Sequence, residues 1–248
     1  MFNINRNNLI SFDSVFILGG TSEIAKELCL NLARKGTRKI HFVSREPTKN
    51  NLLIKRLIDE FNVKITNQQF DLLKEDLNIQ PYVDFYDLYI IAAGYLGDSI
   101  LANNNIDEAL NIAKINYYSL IPWINSIISE DRISKPGAMW IFSSVACDLG
   151  RPSNYHYGAA KAGLTIFCQG VLNRLYKKPF KIRIIKAGFI HTAMSINKGP
   201  KFLYVSKKYL AKTLINKPYK EGIEYLPFWW IFLMKIVAIL PKFIISKL

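Results

Sequence analysis

Apolar and polar positions along this chain alternate between two periods, and the alternation predicts seven strands and five long helices. Segments rich in β-branched and aromatic residues stand at 14–18, 39–43, 63–66, 87–92, 138–143 and 181–186, with a last short one at 222–226. Val15-Phe16-Ile17-Leu18 is the purest, an apolar run of the kind a strand covered on both faces requires. Between the strands, 22–34, 50–61, 106–129, 155–176 and 207–215 read as helices. Ile24, Leu28 and Leu32 repeat at four-residue spacing, one face of a helix packed on a sheet. Strand and helix alternate without a linker, repeat or low-complexity stretch. The predicted architecture is α/β: one doubly wound parallel sheet of the Rossmann type with right-handed crossovers, over residues 1–226. Residues 193–206 contain Gly199-Pro200 and no period, which predicts a mobile substrate loop.

The pattern changes after residue 226. Pro227 and Pro241 bracket 13 residues in which Lys235 is the only charge. A helix of that length is about 20 Å long, short of the roughly 30 Å of a hydrocarbon core. Trp229 and Trp230 suit a membrane interface, and Lys235 and Lys242 mark one narrow polar edge. Residues 227–248 are therefore expected to lie in the cytoplasmic leaflet of the inner or plasma membrane as a monotopic segment, not as a separate domain. The alternative is an interface in a homo-oligomer.

Composition adds the expected sign of a partner's charge. The chain has 248 residues and a formal net charge of +14. Seven lysines fall between Lys198 and Lys220. No groove-entering helix or stacking module accompanies them, so nucleic acid is not expected as a partner. Against a merely solvated surface, the neighbouring apolar tail favours attraction to anionic lipid head groups or to a phosphorylated substrate. Cys29, Cys147 and Cys168 sit in apolar stretches without metal spacing, and no metal site is expected. Asn3, Asn5, Asn7 and Asn8 interrupt the first ten residues, so no secretory signal is read there.

Two constellations carry chemistry. Tyr157 and Lys161 are four residues apart on one helix face, with Ser144 13 residues before Tyr157. A free phenol has a pKa of about 10. A nearby ammonium favours phenolate and brings tyrosine toward proton transfer, while a serine hydroxyl can hold a carbonyl oxygen. Far upstream, Gly19 and Gly20 follow the first strand. They permit a tight turn and close approach of backbone to phosphate. Thr21 and Ser22 add hydroxyls, and the helix beginning near Ser22 and Ile24 offers free N–H groups to an anion. At the end of the second strand stands Ser44, where an acidic residue would grip the ribose of NAD. Arg45 follows and suits a phosphate, which favours NADP(H) over NAD(H).

These residues resemble the short-chain dehydrogenase/reductase family over nearly the whole chain. The family's T-G-x-x-x-G-x-G reads Leu18-Gly19-Gly20-Thr21-Ser22-Glu23-Ile24-Ala25 here, with Glu23 and Ala25 in place of two glycines. Ile91-Ala92-Ala93-Gly94 stands for N-N-A-G, and Ala187-Gly188-Phe189-Ile190-His191-Thr192 for P-G-x-x-x-T. The resemblance implies hydride transfer from NADPH to a ketone, with Tyr157 as proton donor, Ser144 holding the oxygen and Lys161 gripping the nicotinamide ribose. It implies that Asn116 carries a relay water, that Asp71 contacts adenine, and that Ala93, Gly94, Gly188, Ile190 and Thr192 line the cofactor. The glycine loop, Gly94-Tyr95-Leu96-Gly97-Asp98 and the proline-bracketed tail resemble one branch, the decaprenylphosphoryl keto-pentose reductases. That branch implies a lipid-linked keto-sugar substrate and a flavin oxidase as partner enzyme. The alternatives are a membrane-associated reductase of another hydrophobic ketone, such as a ketosphinganine, acyl or steroid type, and a protein that senses NADPH without turnover.

Overall fold

The computed structural model describes residues 12–74, 83–196 and 198–247. The polar start of the chain, Asn3 to Asn8, lies outside them. The strands are β1 (Ser14–Leu18), β2 (Lys39–Ser44), β3 (Lys64–Gln69), β4 (Leu88–Ile91), β5 (Gly137–Ser144), β6 (Phe180–Ala187) and β7 (Gly222–Leu226). They form one sheet in the order β3-β2-β1-β4-β5-β6-β7, every neighbouring pair parallel. The helices are α1 (Glu23–Arg34), α2 (Asn51–Phe61), α3 (Ser99–Ala102), α4 (Ile106–Asn116), α5 (Ile121–Ile127), α6 (Glu130–Ile133), α7 (Tyr155–Arg174), α8 (Lys207–Asn216), α9 (Trp230–Ala238) and α10 (Lys242–Ile245).

Alternate strand residues feed two cores. Ile17, Phe42 and Ile90 face Leu28 and Leu32 of α1, Leu57 of α2 and Leu210 and Leu214 of α8. Phe16, Leu18, Tyr89, Ile91 and Met139 face Trp123 and Ile127 of α5 and Leu164 and Cys168 of α7. Because both faces are covered, the strand order reverses between β1 and β4 with their carboxyl ends side by side. That leaves a crevice where an open α/β sheet takes a ligand.

Four expectations are corrected. The helix expected over 106–129 is broken after Asn116. Tyr117 leaves helical geometry (φ −145°, ψ −69°), the Asn116 side chain donates to the Ile112 carbonyl at 2.9 Å, and Pro122 opens α5 without an N–H to give. β3 runs to Gln69 because it pairs with all of β2. The short α3 escapes a periodicity reading. It exists because the Asp98 carboxylate accepts from the N–H groups of Ile100 and Leu101. The 13-residue tail helix is shorter, with α9 spanning nine residues and α10 beginning after Pro241.

The tail is also not free of the body. Trp230 and Met234 are 4% and 5% exposed and pack with Val145, against Phe189, Leu203 and Leu233. The other side of the tail carries Phe228, Phe232, Ile236, Ile239 and Phe243, all more than half exposed. Among the described residues no helix is long and apolar enough to cross a membrane.

Candidate active site

Ser144 ends β5, and Ala187 is its register partner on β6. The Ser144 hydroxyl accepts from the Ala146 N–H at 3.1 Å, which fixes it at the strand's carboxyl end. Tyr157 lies in the first turn of α7. Gly158 explains how that helix comes so close: a Cβ there would sit 2.7 Å from the Ala146 carbonyl oxygen. The close approach sets Tyr157 within hydrogen-bonding reach of Ser144. Burial pushes the phenol up to about 12, with the Ser144 hydrogen bond pulling the other way.

Lys161 is 3% exposed. Its ammonium donates to the Phe142 carbonyl at 3.0 Å and lies 5.9 Å from the centroid of the Tyr157 ring. Burial brings it down to about 8. The sequence suggested that Lys161 would pull the phenol toward ionisation. Burial sets both directions instead, the phenol up and the ammonium down.

Asn116 is wholly buried and holds the loop after β4. Its Oδ1 accepts from the Tyr95 N–H at 3.1 Å, and its Nδ2 donates to the Tyr95 carbonyl at 2.5 Å. Gly94 in that loop faces this group: a Cβ on it would lie 3.4 Å from Asn116 Oδ1 and 3.7 Å from Lys161 Nζ. The structure therefore brings Ser144, Tyr157, Lys161, Asn116 and Gly94 together.

The crevice next to them has the shape and the polar groups that a dinucleotide needs. Gly19 has φ +89°, and a Cβ there would meet the Ala93 nitrogen at 2.4 Å, so only glycine lets these two backbones touch. Ser22 caps α1 without a side-chain hydrogen bond, which leaves the N–H groups of the first turn for an anion. Thr21 precedes it, and Ile24 packs inward on the core. The Ser44 hydroxyl and both amide atoms of Asn50 are buried without a partner, and Asn50 Nδ2 lies 3.3 Å from the Cβ position of Gly20. Arg45 is exposed, paired only loosely with Glu46 at 3.4 Å. A glycine cradle, an open helix end and unpaired polar atoms along one crevice fit such a cofactor.

The remaining expected residues fall around this line. The Asp71 carboxylate accepts from the Leu73 N–H at 3.0 Å, closing a local turn after β3. Gly188 donates its N–H to the Leu226 carbonyl at 2.9 Å. Ile190 bridges to Val205, and the Thr192 hydroxyl lies 3.1 Å from that of Ser195. Glu23, read only as a departure from a glycine, has a function of its own in the structure. It accepts from the Ala193 N–H at 2.7 Å and pairs with Lys207 at 2.5 Å, tying the 193–206 loop and α8 to the glycine turn. Asn50 and Gly158 were likewise missed, and Trp230, expected at a membrane interface, is buried on Gly188 instead. Gly158 alone had a legible signal, as a glycine directly after the tyrosine.

An open parallel sheet with this crevice and this serine, tyrosine and lysine defines a dinucleotide-binding α/β protein. The family model described as short chain dehydrogenase matches residues 13–201. The chain belongs to that family. It is 29% identical over 161 residues to an uncharacterised oxidoreductase of Mycobacterium tuberculosis, a match covering 62% of this chain and 63% of that relative, just under two thirds of its length. It is 26% identical over 206 residues to a 3-oxoacyl-acyl-carrier-protein reductase of Buchnera aphidicola, covering 80% of this chain and 81% of the relative. Among solved structures, a Sphingobium yanoikuyae short-chain dehydrogenase in complex with NADPH superposes with TM-score 0.76 at 19% identity, over 92% of this chain and 96% of that one. A Comamonas testosteroni alcohol dehydrogenase described as specific for bulky-bulky ketones superposes at 0.75 and 20% identity, over 94% and 96%.

Proposed function

We propose that this protein is an NADPH-dependent reductase of a ketone presented at a membrane, with a polyprenyl-phosphate-linked keto-pentose as the substrate class. NADPH, when bound in the crevice, supplies the hydride. The chain's own residues do the rest. Ser144 holds the carbonyl oxygen, and Tyr157, a phenol that carries its proton at neutral pH, gives that oxygen a proton. Lys161 places positive charge beside the cofactor ribose. With the Asn116 amide committed to Tyr95, a relay water would be held by backbone carbonyls freed where α4 ends. Arg45 meets the 2′-phosphate. The printed name of the Mycobacterium relative, an oxidoreductase, supports redox chemistry, and that of the Buchnera relative, a 3-oxoacyl reductase, supports reduction at a carbonyl carbon.

The observation that carries the membrane part is the two-sidedness of the tail. Phe228, Phe232, Ile236, Ile239 and Phe243 form one exposed apolar stripe, with Lys235, Lys242 and Lys247 exposed beside it. Such a surface suits the cytoplasmic face of an anionic bilayer, apolar rings inserted and lysines at the head groups. A second copy of the chain would use a different face, where Ile106 and Leu110 of α4 and Ile166 of α7 are exposed. A flavin oxidase would supply the keto substrate. The test is NADPH oxidation with a vesicle-borne keto-pentosyl polyprenyl phosphate. Turnover in the presence of anionic vesicles supports the reading; turnover of 3-oxoacyl thioesters alone would replace it with a soluble acyl reductase.

A further inference from the structure

A carboxylate stands at the end of the crevice where a cofactor's phosphates have to come in. Glu23 is the first residue of α1, directly after Ser22, whose side chain makes no capping hydrogen bond. Side chains on a helix lean toward its amino end, so the Glu23 carboxylate leans toward the same N–H groups that the crevice offers to an anion. Two contacts hold it: Oε1 accepts from the Ala193 N–H at 2.7 Å and Oε2 from the Lys207 ammonium at 2.5 Å. Both hold the carboxyl below its ordinary pKa, so it is ionised at neutral pH. A fixed negative charge at an anion site weakens the hold on a pyrophosphate, which is negative too.

Lys207 opens α8, after the Ser206 cap that accepts from the Tyr209 N–H. A cation in the first turn is disfavoured by the helix dipole, and that turn of α8 holds no acidic residue to offset it. The compensating carboxylate comes from α1 instead. As a brace the pair contributes little, because its side chains are 38% and 36% exposed and so open an ion pair adds little to stability. Lys26, the other cation near Glu23, donates its ammonium to the Lys49 carbonyl at 2.8 Å. Among the described residues Lys207 is therefore the one ammonium bonded to this carboxylate.

We propose that Lys207 is a cofactor-positioning residue: it neutralises Glu23 so that a pyrophosphate can settle on the amino end of α1, and through Glu23 it holds Ala193 beside that end. Lys207 acts through Glu23 and touches no phosphate itself. Where this chain has Glu23 the family pattern has glycine, which brings no charge to cancel, so the carboxylate and the lysine that offsets it work as a pair. The pair also joins three segments at the carboxyl ends of the strands: the turn after β1, the loop after β6 and the start of α8. Ala193 directly follows Thr192, so the bond to Glu23 fixes that part of the loop against the glycine turn. The assignment depends on the crevice taking NADPH and is independent of the ketone and of the membrane.

The test titrates two probes into the wild-type protein, Lys207→Gln, Glu23→Gln and the double variant. One is NADPH; the other is adenosine 2′-monophosphate, which has the adenine and the 2′-phosphate but no pyrophosphate. Lys207→Gln should weaken NADPH binding about fivefold, the effect of one unit charge at about 4 Å in water, and leave adenosine 2′-monophosphate unchanged. The loss should shrink as salt screens the bare carboxylate. Lys207→Arg keeps the charge and should bind NADPH as the wild-type protein does. Glu23→Gln keeps an acceptor for Ala193, and in that background Lys207→Gln should have no effect. The melting temperature should move by about 4 °C at most in any of these variants. A loss shared equally by both probes, with a larger fall in melting temperature, makes the pair a structural brace and overturns the proposal. A loss that persists in the Glu23→Gln background overturns it too, because Lys207 would then meet the phosphates itself. Unchanged NADPH binding in Lys207→Gln would show that the carboxylate does not bear on the cofactor, with the same result.

Discussion

Lys161 donates to the carbonyl of Phe142 at 3.0 Å, while the Tyr157 ring centroid lies 5.9 Å from its ammonium. The β5 backbone thus orients the cation, and the phenol shares its enclosure. Both groups are shifted by burial, in opposite senses: Tyr157 up to about 12, Lys161 down to about 8. The upward direction at Tyr157 makes it a weaker acid than a free phenol, so its proton transfer has to be helped by the positive charge of Lys161 beside it.

Tyr157→Phe removes that proton and keeps the ring. Turnover should fall at least about 100-fold, the low end of what general acid catalysis contributes. NADPH affinity, measured by fluorescence titration, should change little. Retained turnover would assign the proton to another group, and Cys147, electrostatically close to Tyr157, would be examined next.

Lys161 makes pH a second handle. Its folded pKa, about 8, lies below the ordinary lysine value of about 10.4. Between those values the unfolded chain binds more protons than the folded one, so the linkage slope is positive and stability rises with pH. Below pH 8 the full cost of the buried charge is present. Thermal melts from pH 7 to 10 should therefore show Lys161→Met gaining less on alkalinisation than the parent, with the difference closing above pH 8. NADPH affinity should move oppositely, weakening in the parent as the ammonium loses its proton and staying flat in the variant. Parallel melting curves would mean that Lys161 titrates normally.

Cofactor choice is tested at Arg45. Arg45→Asp replaces a phosphate partner with a carboxylate that repels the 2′-phosphate and accepts from ribose hydroxyls. Preference should move toward NADH by about tenfold or more, the scale of one charged hydrogen bond. Titration of both cofactors into both proteins reads this directly. An unchanged ratio would leave Ser44 and Asn50, with their unpaired polar atoms, as the groups that read the ribose.

Most of the fold was legible because strand and helix periods differ. Segments such as Val15–Leu18 and Ile24–Leu32 have one period each and pack as read. The legible part failed where side chains override periodicity. Asn116 and Pro122 break a helix whose apolar pattern runs on unbroken, and Asp98 creates a turn of helix with no pattern at all. In the site, Ser144, Tyr157 and Lys161 were readable from their spacing together with the glycine turn far upstream. Glu23, Asn50 and Trp230 were not, because each works through partners distant in sequence: Ala193 and Lys207, Gly20, and Gly188. The tail shows the limit best. Its apolar residues predicted a surface helix, but nothing in their order says that Trp230 turns inward onto Gly188 and Val145 while Phe232 and Ile236 stay outside.

That division sets the sharpest test of the membrane reading. Deleting residues 227–248 would strip the packing of Trp230 on Gly188 and Val145 together with the outer stripe and confound docking with stability. Phe232→Asp with Ile236→Asp changes the outer side alone, since both residues are more than half exposed. Burying a large apolar side chain in lipid contributes about 1.5–3 kcal/mol, so each lost insertion should weaken vesicle binding roughly tenfold or more. The parent protein should float with anionic vesicles and be partly released by salt, which screens Lys235, Lys242 and Lys247 but not the inserted rings. The double variant should stay in solution at all salt concentrations and still bind NADPH. It should lose turnover of a long-chain lipid-linked ketone more than of a short-chain analogue, because only the long chain has to be met at the bilayer. If instead the parent ignores vesicles and sediments as an oligomer that the double variant splits, the stripe is a subunit interface, and the lipid-linked substrate falls with the membrane.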